Sequence, residues 1–206
     1  MIKSISYSQD EIINNILSLY LNNKIDLDAS YGNGQFYKNI NVYPELKYDI
    51  DSNLDDVDNF SSTELPNNNL SLESVVFDPP FLTYIKKGRE HDSIMAKRFS
   101  GYYSYDELKE HYELSIKEFS RVIKRKGFLV FKCQDIIHNH KMHCTHKMVI
   151  DMAEKYNFRV KDIFILLAKH RMGVGKNKTQ RHARVYHSYF LVFEKLKTWP
   201  SELIIK

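Results

Sequence analysis

The chain has 206 residues, 43% of them hydrophobic and 13% aromatic, which is enough for one sizeable core and too short for two comfortable domains. It contains no run of about 18 apolar residues that would make a transmembrane helix, and its two cysteines, Cys133 and Cys144, are too few for a disulfide scaffold. The net charge of +4 is modest but uneven: Glu45 to Asp58 carries six acids and one lysine, whereas Ile163 to Phe193 has no acid.

The N-terminus, MIKSISYSQDEIINN, has acids and amides where a signal peptide needs an apolar core. The expectation is a cytoplasmic protein with reduced thiols and no membrane association. Residues 9 to 21 place Ile12, Ile13, Ile16, Leu17 and Leu19 to Leu21 at roughly helical spacing behind Ser8, a good helix cap. KIDLDAS then reads as a short buried strand ending at Asp28, and the glycine-bearing YGNGQFY behind it reads as a turn that opens a helix. ELKYDID is a second strand ending in acids. SVVFDPPF is a third, closed abruptly by Pro79 and Pro80, since proline cannot donate to a sheet ladder.

The stretch 82–105 is polar and aromatic without periodicity, longer than an ordinary connection. YDELKEHYELSIKEFSRVIKRKG follows as a strongly amphipathic helix, with Gly127 read as its C-terminal stop. FLVFKCQD reads as a strand, HKMVIDMAEKYNF as a helix, VKDIFILLAK as a strand, and VYHSYFLVFEK as the last strand after a basic loop at 169–184. The alternation predicts one domain over 1–206, a doubly wound α/β fold. In such sheets ligands sit outside the carboxyl ends of the strands, which puts Asp28, Asp49 or Asp51, Asp78, Gln134 and Asp135 on one edge.

Two motifs on that edge carry chemistry. In DASYGNGQF, Gly32 and Gly34 permit positive backbone torsions and close approach of a ligand to the main chain, and a helix start behind them favours an anionic group. The loop lacks the Lys-Ser/Thr of a phosphate loop and the third glycine of a dinucleotide fingerprint. A carboxylate after the second strand, Asp49 or Asp51, is suited to hold two ribose hydroxyls.

A glycine loop, a ribose-binding acid and Asp-Pro-Pro-Phe in this order resemble the S-adenosylmethionine-dependent methyltransferases. DPPF matches the (Asp/Asn/Ser)-Pro-Pro-(Tyr/Phe) tetrad of enzymes that methylate exocyclic amines, above all the adenine-N6 and cytosine-N4 DNA methyltransferases. The C-terminal half, from KCQD through RHARVYHSYFLVFEK, is similar to small bacterial and phage DNA methylase-like proteins. The resemblance implies a Rossmann-like class I fold, a mostly parallel seven-stranded sheet with an antiparallel C-terminal strand. It also implies the cofactor S-adenosyl-L-methionine, held by Asp28, Ala29, Ser30, Tyr31, Gly32 and Gly34, by Asp49 or Asp51, and by Ser61 in place of the acid many relatives carry there, with Ser62 beside it and Asp58 as a substitute.

The same resemblance makes Asp78, Pro79, Pro80 and Phe81 catalytic. The Asp78 carboxylate and the Pro79 carbonyl accept hydrogen bonds from the target amine, and Phe81 stacks on an extruded base. Asp at the first position implies adenine over cytosine. The expected partner is nucleic acid, DNA rather than RNA, although guanine-N2 and adenine-N6 RNA enzymes share the tetrad. A catalytically silent nucleic-acid-binding module is the rival of another class. No separate recognition domain fits, so specificity is low, or comes from the two loops, or is supplied by a partner or a second copy. Lys132, Gln134, Lys176, Lys178, Arg181, Arg184 and His187 are the candidate substrate or nucleic-acid contacts, against the plainer reading of a solvated basic loop. HNHKMHCTH gathers four histidines and Cys144, but the spacing matches no common zinc pattern, and no metal is assigned.

Overall fold

The computed structural model describes residues 1–83, 101–169 and 181–197. In chain order the elements are β1 (Ile5–Ser6), α1 (Gln9–Tyr20), β2 (Ile25–Asp28), β3 (Pro44–Asp49), β4 (Asp58–Asn59), β5 (Leu72–Phe77), α2 (Tyr105–Val122), β6 (Ile123–Cys133), β7 (Ile136–His138), β8 (Lys141–His143), α3 (Thr145–Lys155), β9 (Phe158–Leu167) and β10 (His187–Lys195). One sheet has the order β1-β9-β10-β6-β5-β2-β3-β4. All neighbouring pairs are parallel except those of β10, which runs antiparallel to both β6 and β9. β7 and β8 form a separate hairpin.

The expected mostly parallel sheet with an antiparallel last strand is present, with eight strands among the described residues rather than seven. The edge strands β1 and β4 are two residues each, too short to leave a period in the sequence. The HNHKMHCTH stretch forms most of the β7–β8 hairpin before α3 begins. No α-helix follows the glycine loop: the chain makes only a three-residue 3-10 turn, Gln35–Tyr37, so the anion-binding helix terminus expected there is missing.

Gly127 does not stop α2, which ends five residues earlier. The last helical carbonyls are taken by tertiary partners: Leu70 and Ser71 N–H donate to Arg121 and Val122 (2.9 and 2.8 Å), and the Lys195 ammonium donates to Ser120 and, just past the helix, to Ile123 (2.8 Å). Gly127 lies instead inside β6, at a register shift where Leu72 pairs with Ile123 and Ser74 with Phe128. A Cβ at that position would stand 2.7 Å from the Glu73 carbonyl oxygen, so the glycine serves strand approach.

Two apolar layers sandwich the sheet. α1 buries Ile12, Ile13, Ile16 and Leu17 against Val76, Val130, Phe164, Phe190 and Val192, while α2 and α3 bury Leu108, Tyr112, Ile116, Phe119 and Val149 against Phe77, Leu129, Phe131 and Phe193. Ser8 caps α1 as expected, accepting from Glu11 N–H at 3.2 Å. No helix among the described residues is long and apolar enough to cross a membrane.

Candidate cofactor and substrate cleft

Ser30 joins the glycine loop to the proline corner. Its N–H and hydroxyl both donate to Asp28 Oδ1 (2.8 and 3.1 Å), and its oxygen accepts the backbone N–H of Asp78 (2.7 Å). The other Asp28 oxygen accepts the Tyr37 hydroxyl at 2.7 Å. Asp28 is 1% exposed and does not line the cleft described below. It braces the loop from beneath, at a position where the sequence leads one to expect a cofactor contact. Gly32 and Gly34 have φ of +56° and +74°, and a Cβ on Gly34 would meet the Tyr31 hydroxyl at 2.8 Å. Tyr31 is buried, stacked on Tyr37.

Burial pushes the Asp28 carboxyl up to about 7, with Asp78 adding to the rise and the Tyr37 and Ser30 hydrogen bonds opposing it. An unfolded Asp ionises near pH ~4. Between roughly pH 4 and pH 7 the folded chain therefore binds more protons than the unfolded chain, and this group's contribution to stability is lost as pH rises. Asp28→Asn should flatten that slope. The drop in melting temperature between pH 5 and pH 7.5 should be smaller in the variant than in the parent, and identical curves would contradict this account.

Above the loop lies a cleft of about 470 Å³, within the usual range for small-molecule sites. Its walls come from three strand ends: Ala29 and Ser30 after β2, Asp49 and Ile50 at the end of β3, and Phe77, Pro79 and Pro80 at the end of β5. Asp49 holds the loop, accepting from Gly32 N–H through Oδ2 (2.8 Å) and from Asp51 N–H through Oδ1 (3.2 Å). Asp51 is exposed and is not a wall residue, so of the two candidate acids the cleft takes Asp49. Ser61 and Ser62 also line it; Phe81, half-buried, and Asp58, exposed on β4, do not.

A further wall, supplied by α2, is absent from the sequence-based expectations. Ser104 caps this helix by accepting from Glu107 N–H (3.2 Å), and the Glu107 carboxylate accepts from Tyr103 N–H (2.9 Å). That start aims His111 into the cleft. Both of its ring nitrogens are engaged, Nε2 with Ser62 Oγ (2.9 Å) and Nδ1 with the Tyr102 hydroxyl (2.5 Å), and burial lowers its pKa. One residue on, the Tyr112 hydroxyl donates to the Pro80 carbonyl at 2.9 Å, fixing the proline corner to the helix. Only the amphipathicity of this segment is legible in the residues, since which polar side chain on it faces a cleft depends on how the helix docks.

Lys132 contacts the Asp78 carboxylate (2.8 Å) rather than standing free for substrate. Gln134 is buried and donates to the His187 carbonyl at 2.7 Å, tying the end of β6 to the start of β10. Both Gln134 and His187 line a second cavity of about 330 Å³ on the same sheet edge, beside Gln9 and Lys169. Arg181 and Arg184 are exposed; Lys176 and Lys178 lie outside the described residues, as do most of the basic loop and most of 82–105. The histidines take separate partners: His146 pairs with buried Asp135 (2.7 Å), His138 with Thr83 (3.0 Å), and the His143 ring lies tilted against Tyr105 (3.9 Å between centroids) and edge-on to His138 (6.3 Å). Among the described residues no three His, Cys, Asp or Glu side chains are grouped to hold a metal ion.

The mostly parallel sheet flanked by helices is a Rossmann-like fold, and the solved structures that share it include S-adenosylmethionine-dependent methyltransferases. A SAM-dependent methyltransferase from Methanosarcina mazei superposes with a TM-score of 0.53 at 12% identity, over 90% of this chain and 97% of that one. The 1,6-didemethyltoxoflavin-N1-methyltransferase of Burkholderia thailandensis, solved with 1,6-didemethyltoxoflavin and S-adenosylhomocysteine, superposes with a TM-score of 0.53 at 10% identity, over 93% and 80%. A Thermus thermophilus protein described as a DNA modification methylase, complexed with S-adenosyl-L-methionine, matches at 17% identity and a TM-score of 0.44 over 65% of this chain and 52% of that one. The chain thus spans about half the length of the Thermus protein. No protein-family model matches the sequence, and neither does any curated protein.

Proposed function

We propose that the protein is an S-adenosylmethionine-dependent methyltransferase acting on the exocyclic amine of a nucleobase, adenine N6 in DNA, within one domain over 1–206. The observation that carries this reading is the convergence of Ser30, Asp49 and the Pro79–Pro80 corner on one cleft at the carboxyl edge of the sheet. The donor set fits the cofactor. Asp49 supplies a carboxylate for a vicinal diol, the backbone of Ala29 and Ser30 offers polar groups to an amino-acid end, and the exposed side chain of Ile50 provides an apolar flank for a purine. Ser61 and Ser62 offer hydroxyls to its polar edge.

The cofactor, when bound, supplies an electrophilic methyl group. The chain's own part is to present the nucleophile. An aromatic amine is a poor nucleophile because its lone pair is delocalised into the ring. The Asp78 carboxylate and the Pro79 carbonyl accept its two N–H groups, and the two prolines hold those acceptors in place before the substrate arrives. Phe81 stacks on the extruded base. The second cavity, with Lys169 and His187 on its rim, and the exposed Arg181 and Arg184 give a polyanion a basic approach to the same edge. A partner protein or a second copy supplies sequence specificity where these loops do not.

The test is mass spectrometry of nucleosides from DNA and RNA of cells with and without the gene. N6-methyladenine in DNA that depends on the gene supports the reading. A methylated base confined to RNA moves the substrate, and unchanged nucleosides in both, joined with no binding of S-adenosylmethionine or S-adenosylhomocysteine by calorimetry, would overturn it.

A further inference from the structure

The sequence offers Lys132 as a nucleic-acid contact, yet its ammonium is turned inward. Its side chain is 13% exposed, and Nζ stands 2.8 Å from Asp78 Oδ2 and 3.0 Å from Gln9 Oε1. The rings of Phe36 and Phe190 lie 5.4 and 5.5 Å from it. Gln9 is held in turn, donating through Nε2 to the Phe36 carbonyl at 3.4 Å. Three elements thus meet at one ammonium: the first turn of α1, the end of β6 and the end of β5. A lysine reading phosphates would be solvated; this one is screened by aromatic rings and committed to a single acid.

The consequence for Asp78 is directional. Oδ2 is occupied by Lys132, while Oδ1 has no partner among the described residues, and the side chain as a whole is 23% exposed. The backbone N–H is fixed separately on Ser30. We propose that Lys132, braced by Gln9, is the positioning residue that fixes the Asp78 carboxylate so that Oδ1 is the atom offered to the target amine. This inference rests on the methyltransferase reading above. Lys132 touches neither cofactor nor substrate; it sets the angle of the group that does.

Removing a positioning group misplaces the reacting atoms, and a displacement of about 1 Å is worth on the order of 100-fold in rate. Lys132→Met keeps the aliphatic stem, and Lys132→Arg keeps the charge. The expected result is a fall in single-turnover methylation of roughly 10- to 100-fold for Lys132→Met, with the dissociation constants for S-adenosylmethionine and for an oligonucleotide within about twofold of the parent, and partial recovery in Lys132→Arg. The salt dependence of oligonucleotide binding should not change, because no phosphate contact is lost. A rate equal to that of the parent overturns the proposal. So does a loss of oligonucleotide affinity with a flatter salt slope, which would return Lys132 to the nucleic-acid surface.

A second readout does not depend on activity. With ¹³C-labelled aspartate, the Asp78 carboxyl signal, assigned by its absence in Asp78→Asn, should move in Lys132→Met and in Gln9→Ala while the other carboxyl signals stay. A parent protein that methylates nothing but shows this shift would refute the reaction and keep the pair. An unmoved signal would refute the pair whatever the activity.

Discussion

Asp78→Ala should abolish methyl transfer, by more than about 1000-fold, the upper end of what one preorganised hydrogen-bonding group contributes. Cofactor affinity should stay within a few-fold of the parent. The physical ground for separating the two effects is that Asp78 is tied to the glycine loop by its backbone N–H on Ser30 Oγ, a bond that alanine keeps. The side chain is engaged separately, in an ion pair with Lys132. Alanine leaves that ammonium without its counter-ion in a mostly buried place, so some loss of melting temperature is expected as well. Asp78→Asn separates chemistry from stability. Its amide oxygen can still accept from Lys132 or from the amine, but not from both with a full charge, and the rate should fall roughly 10- to 1000-fold with the fold intact. Single-turnover assays and calorimetric titration of the cofactor check both variants. An Asp78→Ala protein with undiminished transfer would move the active site elsewhere.

Asp49→Ala should be the largest single loss of cofactor affinity. The carboxylate does two jobs: it accepts Gly32 N–H at 2.8 Å, holding a loop residue at positive φ, and it stands in the cleft where a ribose diol would sit. Hydrogen bonds to a charged acceptor contribute about 1.5 to 3 kcal/mol each, so losing two of them corresponds to roughly 100-fold or more in the dissociation constant. Asp51→Ala, at an exposed position outside the cleft, should change affinity by no more than about two- to threefold. Calorimetry on the pair decides between the two acids that the sequence offers. Equal losses in both variants, or none in Asp49→Ala, would remove Asp49 from the cofactor site.

The longer strands and helices and their order are legible in the residues alone, whereas the two-residue strands β1 and β4 and the β7–β8 hairpin are not, and the helix expected after the glycine loop is replaced by a 3-10 turn. Uninterrupted apolar runs such as SVVF and FLVF, with acids or prolines behind them, define buried parallel strands and place their polar termini on one edge, because a strand buried on both faces can carry its chemistry only where it stops. The period of 3.6 in α1 and α2 fixes which residues enter the core. Local signals fail where tertiary partners take over their work. Gly127 has the look of a helix stop, yet the carbonyls at the end of α2 are satisfied by Leu70, Ser71 and Lys195, and the glycine is required by the Glu73 carbonyl of the neighbouring strand.

Which of the polar residues at the edge face a ligand depends on packing between distant segments. Asp28 and Asp49 end adjacent strands and look alike in sequence, but Asp28 is bonded to Tyr37 and Ser30 and is buried, whereas Asp49 opens into the cleft. Lys132 and Gln9 are 123 positions apart and meet only because α1 lays its first turn across the end of β6. His111 reaches the cleft because α2 docks with that face toward Ser62. Periodicity states which face of an element is apolar; the direction of a polar side chain at an element's end is set by what packs beside it, and that information is not local in the chain.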